Sequence, residues 1–174
     1  MNSIGVLWFL RLFHIGAGVF WVGSILFMAR FIFPTAVALG PAAGPFMDQL
    51  TRVRKLPSAL LGAAIVNILT GIGLFWRASL GFEGAWMRSP TGKVFGLGAL
   101  LAIAGFLVGV LVNLPTTKQL AALTAAVQSK GGPPSPDQTA LMQRLQRRLG
   151  AGLRTIAALL FLATAAMALA RYVT

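Results

Sequence analysis

Four stretches of the chain are apolar enough and long enough to cross the hydrocarbon core of a membrane as helices. That core requires about 20 consecutive helical residues, and the stretches run over about 4–33, 59–76, 94–114 and 149–170. None of them alternates with the period of two that a strand requires. Backbone groups in lipid must also be satisfied within their own segment, which favours helices. The sequence therefore predicts an all-α membrane protein, a single domain over 1–174, built as a bundle of four transmembrane helices.

The composition explains why a membrane is needed. Of the 174 residues, 57% are hydrophobic and 10% are charged, whereas an ordinary soluble domain carries about 25% charged residues. A soluble fold of this size leaves much of its surface in water and could not hide so much apolar surface. The first apolar stretch lacks a basic leader and a clean small-residue cleavage site, so we expect a span there and not a signal peptide.

The basic residues predict the orientation of the four helices. Nine of them lie in the first and third connections: Arg30, Arg52, Arg54, Lys55, Lys118, Lys130, Arg144, Arg147 and Arg148. The second connection holds three, Arg77, Arg88 and Lys93. Cytoplasmic loops carry the excess of Lys and Arg, so we expect the 34–57 and 115–148 connections in the cytoplasm and both termini outside.

Aromatic residues give the same orientation independently. Trp8, Trp76, Trp86 and Tyr172 would all lie at the outer interface, where aromatic belts form. A net charge of +12 in a soluble chain would suggest nucleic acid. In this chain we expect no nucleic acid, and contact of the cytoplasmic face with anionic lipids instead. The predicted location is a bacterial inner (cytoplasmic) membrane, crossed several times.

Both cytoplasmic connections contain predicted helices. The segment "GPFMDQLTRVRKLP" places apolar residues at helical spacing, which predicts a short amphipathic helix on the membrane surface with Pro45 in its first turn. The residues after Pro115 continue as helix. Ser135, Pro136 and Gln138 predict a capping box, so we expect the fourth helix to begin in the cytoplasm.

His14 is the only histidine, and an ionisable residue within a span is a candidate functional residue. Its imidazole could bind a heme b iron or the magnesium of a chlorophyll-type pigment. The more ordinary role of such a histidine is a hydrogen bond across a helix interface, here to Asn67, which should lie at about the same depth. Met167, a possible second ligand, should lie about 7 Å nearer the outer surface. Without cysteines, thiolate metal sites are excluded. We expect no catalytic or metal-binding set and no bound cofactor, with a heme or pigment at His14 as the alternative.

Small residues follow single faces of two spans. Gly98, Ala102, Gly105 and Gly109 share one face of the third span, and Gly16, Phe20 and Gly23 share one face of the first. Small residues let helices approach closely in lipid, so these faces predict helix packing. A slot for a cofactor is the alternative.

The first span resembles the opening helix of two bacterial families. The segment "LRLFHIGAGVFWVGSILFMARFIFP", with His14, Trp21 and Arg30, is similar to that helix in the CopD copper-resistance family and in HemJ-type protoporphyrinogen oxidases. Lys93, in "SPTGKVFGLGALLAI", falls near a lysine typical of those families. HemJ-type enzymes carry further histidines, which this chain lacks. The resemblance therefore implies a shared helical scaffold, in which Trp21 and Arg30 are structural, more than a shared activity.

Three hypotheses for function follow. The first is a non-enzymatic accessory subunit of a larger membrane complex, in a photosynthetic or respiratory assembly, with other integral membrane subunits as partners. It draws on the lack of polar chemistry within the spans. The second, implied by the resemblance to HemJ-type proteins, is a heme- or porphyrin-linked oxidoreductase with His14 as axial ligand. The third, implied by the resemblance to CopD, is a copper transport protein.

Overall fold

The structure, a computed structural model, describes residues 3–173, apart from the side chain of Ser3, and most of these residues are helical. No strand occurs in that range. The α-helices are α1 (Ser3–Phe27), α2 (Phe33–Leu39), α3 (Gly44–Asp48), α4 (Leu56–Ala78), α5 (Gly84–Arg88), α6 (Pro90–Val108), α7 (Leu114–Ser129) and α8 (Pro136–Leu169). The predicted all-α fold class is confirmed for these residues.

Short π-helical and 3-10 turns join several of these helices into longer helical segments. Four helical segments are long and apolar enough to cross a membrane: Ile4–Val53, Leu56–Ala78, Pro90–Ser129 and Pro136–Tyr172. The second of them is the single helix α4. These segments confirm that the described chain has four helices long and apolar enough to span a membrane. The segments extend beyond the apolar stretches of the sequence because polar helical turns continue from their ends.

Two of the π-turns have the same cause, a proline just after them. The turn Met28–Ile32 precedes Pro34, and the turn Gly109–Asn113 precedes Pro115. A proline ring crowds the carbonyl four residues earlier and provides no N–H to bond it. In both turns the residue before the proline donates its N–H to a carbonyl five residues back. The wider turn lets each helix continue past its proline.

The predicted cap of α8 is present. The Gln138 N–H donates to Ser135 Oγ at 3.2 Å, and the Ser135 N–H donates to Gln138 Oε1 at 2.9 Å. Pro136 occupies the first turn. The predicted amphipathic segment is also helical, as α3 and the π-turn Gln49–Val53, with Pro45 in the first turn of α3.

The long helices pack mainly in two pairs, α1 with α4 and α6 with α8, and contacts between the pairs are fewer. The buried core lies where the pairs meet and consists of Trp21, Ile25, Ala64, Ala102, Leu153, Ile156, Ala157, Leu160 and Ala163. Most of these residues belong to α8, the most buried of the four spans. The last helix therefore holds the two pairs together.

Glycines on α6 allow the close approach of α8. A Cβ added at Gly98 would lie 3.0 Å from Met167 Cγ, and one at Gly105 would lie 3.3 Å from Leu160 Cδ2. Both distances are shorter than the roughly 3.5–4.0 Å of ordinary contacts between carbon atoms. This face of the third span packs against a helix, as its small residues indicate.

Two ends of the molecule can be told apart by charge. The "basic end" carries the connections 34–57 and 115–148 and their nine Lys and Arg side chains, counting Arg30 beside the first connection. The opposite end carries the connection 79–89, the start of α1 and the end of α8. The cavity described below lies toward the basic end, and His14 lies in the other half of α1.

Candidate functional site

His14 and Asn67 join α1 to α4 by two reciprocal hydrogen bonds. The imidazole Nδ1 lies 2.8 Å from the backbone oxygen of Asn67. The side-chain Nδ2 of Asn67 donates to the backbone oxygen of His14 at 2.7 Å. The predicted contact between these residues is therefore present, although each side chain bonds to the backbone of the other residue. Such bonds between membrane helices contribute about 0.6–1.7 kcal/mol each.

This geometry determines the tautomer of His14. A carbonyl oxygen only accepts, so Nδ1 must carry the proton and donate it. In the neutral imidazole, Nε2 then keeps a free lone pair. The nearby Thr70 hydroxyl, 3.5 Å from Nδ1, donates to the Val66 carbonyl at 2.6 Å and does not compete for that proton.

Two glycines make room for the pair. A Cβ at Gly71 would lie 2.9 Å from His14 Cε1, and a Cβ at Gly18 would lie 2.8 Å from Asn67 Nδ2. Any other residue at either position would push a polar side chain out of place. The hydrogen-bonded pair and the two glycines thus form one structural unit between α1 and α4, which we term the His14 site.

The His14 site leaves one nitrogen available. Within residues 3–173, no hydrogen bond to His14 Nε2 is present. Histidines that bind metals commonly donate the other ring N–H to a backbone carbonyl, which is the arrangement seen at Nδ1. The side chain of Met167 instead packs at Gly98 on α6. The described residues contain no group of three or more His, Cys, Asp or Glu that could hold a metal ion.

The other residues singled out from the sequence lie apart from this site. Trp21 is buried in the core, with 4% of its surface exposed. Arg30 is exposed, with its guanidinium carbon 5.8 Å from the Phe31 ring centroid. Lys93 is exposed in the first turns of α6. The structure brings together His14 and Asn67 but does not add Arg30 or Lys93 to them.

Sequence reasoning missed Asn113. It is buried, and neither Oδ1 nor Nδ2 has a hydrogen-bond partner among the described residues. Its carboxamide lies directly against α8, where a Cβ added at Gly152 would overlap it. The available signal was the same one that identified Asn67, an amide within an apolar span.

A cavity of about 170 Å³ lies between the two helix pairs, toward the basic end. We term it the inter-pair cavity. Its walls include Ile25, Leu60, Phe106, Gly109, Leu153 and Ile156, so all four spans contribute. Most of the wall is apolar, no charged residue lines it, and Asn113, Thr51 and Thr117 are its polar members. The cavity is partly open to the surroundings.

Comparison with known proteins adds no family. No family model, no curated protein and no solved structure matches the chain. The resemblance of the first helix to the CopD and HemJ-type families therefore stays a prediction from its motifs. The geometry of the His14 site and of the inter-pair cavity therefore carries the functional argument.

Proposed function

We propose that the chain is a non-enzymatic subunit of a larger membrane complex, of the energy-transducing kind found in photosynthesis or respiration. The observation that carries the proposal is a set of glycines on the spanning helices that this chain leaves uncovered. A Cβ added at Gly16, Gly23, Gly62 or Gly96 would meet no atom within 4 Å apart from its own stretch of helix. Gly71, Gly98 and Gly105, by contrast, all lie close against a neighbouring helix.

An uncovered glycine on a spanning helix offers a place where a neighbouring helix can approach closely. Glycine costs a helix about 0.8–1.0 kcal/mol relative to alanine, and close approach of another helix is what compensates in lipid. Gly16 and Gly23 lie two turns apart on α1, with the exposed Phe20 between them. This face of α1 has the small–large–small profile that another helix can pack against, and nothing in the described chain covers it.

The extent of exposed surface supports the same conclusion. In the most apolar 18-residue window of each of the first three spans, only 11%, 17% and 17% of the residues are buried. Lipid alone could cover the remaining surface, but the glycines indicate protein neighbours at particular places. We further propose that the basic end faces the cytoplasm, in a bacterial inner membrane, because Lys and Arg are retained on that side.

The test is to place a large side chain on the uncovered face of α1. Gly23→Leu should release the protein from its complex in mild detergent, seen as a shift to the free chain in native electrophoresis. The variant should keep its helical circular dichroism, because no atom lies within 4 Å of the new Cβ. Gly132→Leu, at another open glycine in the linker before α8, is the matched control and should stay bound.

Two results would count against the subunit proposal. One is a native protein that mild detergent extracts only as a free chain with an activity of its own. The other is a Gly23→Leu variant that remains in the complex. The proteins that copurify with the native chain would identify the assembly.

The second candidate function is a heme- or porphyrin-linked oxidoreductase resembling the HemJ type. It is favoured by one observation, the unbonded Nε2 of His14 with Nδ1 held by a carbonyl. Nε2 of His14 would hold the heme iron, and the chain provides no second histidine for it. An absorption spectrum of the purified protein distinguishes this function from the first.

A further inference from the structure

The inter-pair cavity can accept hydrocarbon but few polar groups. The hydroxyls of Thr51 and Thr117 donate to carbonyls of their own helices, at 2.7 and 2.9 Å. The amide atoms of Asn113 are buried against α8. Since no charged side chain lines the cavity, the part of any occupant that lies inside must be apolar.

The size of the cavity limits how much of a molecule it holds. An apolar cavity of about 150 Å³ in a protein stays free of water and binds benzene. The inter-pair cavity, at about 170 Å³, therefore accommodates about six carbon atoms. A whole lipid does not fit, but a section of one acyl chain does, with the rest leaving through the open side into the bilayer.

Three exposed cations at the basic end, which we term the rim cations, are neighbours in sequence of residues that line the cavity: Lys55 precedes Leu56, Lys118 follows Thr117, and Arg148 precedes Leu149. These lining residues come from three different helices, so each rim cation lies one residue along the chain from a different part of the cavity wall. Within the described chain the only ion pair joins Asp48 to Arg52. The three rim cations are therefore not neutralised by a carboxylate.

The start of α4 adds to the positive potential. Lys55, its N-cap residue, has a left-handed backbone with φ of 53° and provides no side-chain cap. Pro57 occupies the first turn and has no N–H to be satisfied. The positive end of the helix dipole of this 23-residue helix thus lies beside two of the lining residues, Leu56 and Pro57.

We infer that the inter-pair cavity binds one anionic phospholipid: a section of one acyl chain lies in the cavity, and the phosphate lies at Lys55, Lys118 and Arg148. An apolar slot alone would take any lipid chain. The three unpaired rim cations select the anionic headgroup, since Lys and Arg near the membrane surface attract anionic lipids. This site is distinct from the uncovered glycine faces and does not depend on the subunit proposal.

The experiment measures lipid retention by the full chain in native mass spectrometry. The probes are dioleoyl phosphatidylglycerol and dioleoyl phosphatidylcholine, which share their chains and differ in headgroup charge. We expect one phosphatidylglycerol to be retained saturably, on the order of a hundredfold more tightly than phosphatidylcholine, because three cations contribute about 1 kcal/mol each. Inorganic phosphate at equal concentration should not displace it, because the chain provides part of the binding.

Charge variants test the headgroup contact. The triple variant Lys55→Gln, Lys118→Gln, Arg148→Gln should lose the preference, so that both lipids bind alike. The matched control removes the same charge at the opposite end, as Arg77→Gln, Arg88→Gln, Lys93→Gln, and should keep the preference. Loss of the preference in both triple variants would mean a response to net charge only, and would overturn the proposal.

A cavity-filling variant tests the chain contact. A Cβ at Gly109 would meet only Ile156 Cδ1, at 3.8 Å, which is an ordinary contact. Leucine there should occupy the cavity and abolish saturable retention of both lipids, whereas Gly62→Leu on the open surface of α4 should not. Retention by a folded Gly109→Leu variant, equal binding of the two lipids by the wild type, or displacement by inorganic phosphate would each refute the inferred site.

Discussion

Replacing Gly71 by alanine isolates the contribution of the His14 site. The new Cβ would lie 2.9 Å from His14 Cε1, whereas ordinary contacts between carbon atoms are about 3.5–4.0 Å. The imidazole therefore has to move by about 0.6 Å or more. If it moves away from the Asn67 carbonyl by that amount, the distance of 2.8 Å from Nδ1 to the oxygen becomes about 3.4 Å, beyond the range of a good N–H···O bond.

Two opposing effects determine the size of the change. Loss of a hydrogen bond between membrane helices costs about 0.6–1.7 kcal/mol, while alanine in place of glycine favours the helix by about 0.8–1.0 kcal/mol. Gly62→Ala, in the same helix, measures the gain in helix propensity alone, because a Cβ there meets no atom of another helix within 4 Å. We expect the free energy of unfolding of Gly71→Ala to lie below that of Gly62→Ala by about 0.6–1.7 kcal/mol.

The assay is unfolding in mixed micelles by titration with sodium dodecyl sulfate, followed by circular dichroism. Both alanine variants are measured in the wild-type chain and in a His14→Ala background. Without the imidazole the added methyl group meets open space, so the two variants should become equal. A difference that persists unchanged in the His14→Ala background would refute the reasoning, because the cost would then not arise at the imidazole.

Three further predictions concern topology, heme and the buried amide. In intact cells, an impermeant thiol reagent should label a single cysteine at Ser3→Cys but not at Ser129→Cys; the reverse pattern would overturn the proposed orientation. The purified protein should show no Soret band that disappears in His14→Ala; such a band would favour the oxidoreductase. Gly152→Ala should lower the free energy of unfolding by about 1–3 kcal/mol, because its Cβ overlaps the Asn113 amide. In an Asn113→Ala background that loss should vanish, and a loss of equal size there would contradict the contact.

Several features depend on local chemistry and could be predicted from the sequence alone. The capping box at Ser135 depends on two side chains three residues apart, so it could be predicted from the sequence and is present. The contact between His14 and Asn67 could also be predicted, because the helical rise per residue places both at about the same depth. Polar side chains within spans form hydrogen bonds across helices, and this contact is present. Asn113 lies at the end of an apolar stretch, where an amide can also reach the polar interface, so its burial could not be predicted from the sequence.

Other features could not be read from helical periodicity. Gly23 and Gly98 are both glycines within apolar helices, yet one faces open space and the other packs against α8. In water the outward face of a helix is polar and reveals the inward one. In lipid both faces are apolar, and no hydrophobic force distinguishes them. The sequence therefore predicted close packing for both, and only the structure separates a covered face from an uncovered one.

The sequence by itself determined the all-helical class and the four apolar lengths, because backbone groups in lipid can be satisfied only within each segment. It also determined that most of the basic residues lie in the first and third connections, because their positions along the chain do not depend on how the helices pack. The tertiary structure decided which helices pair, and with that the position of the inter-pair cavity and the contact of Asn113 with Gly152. These depend on how side chains from distant segments fit together, which the order of residues along one helix does not contain.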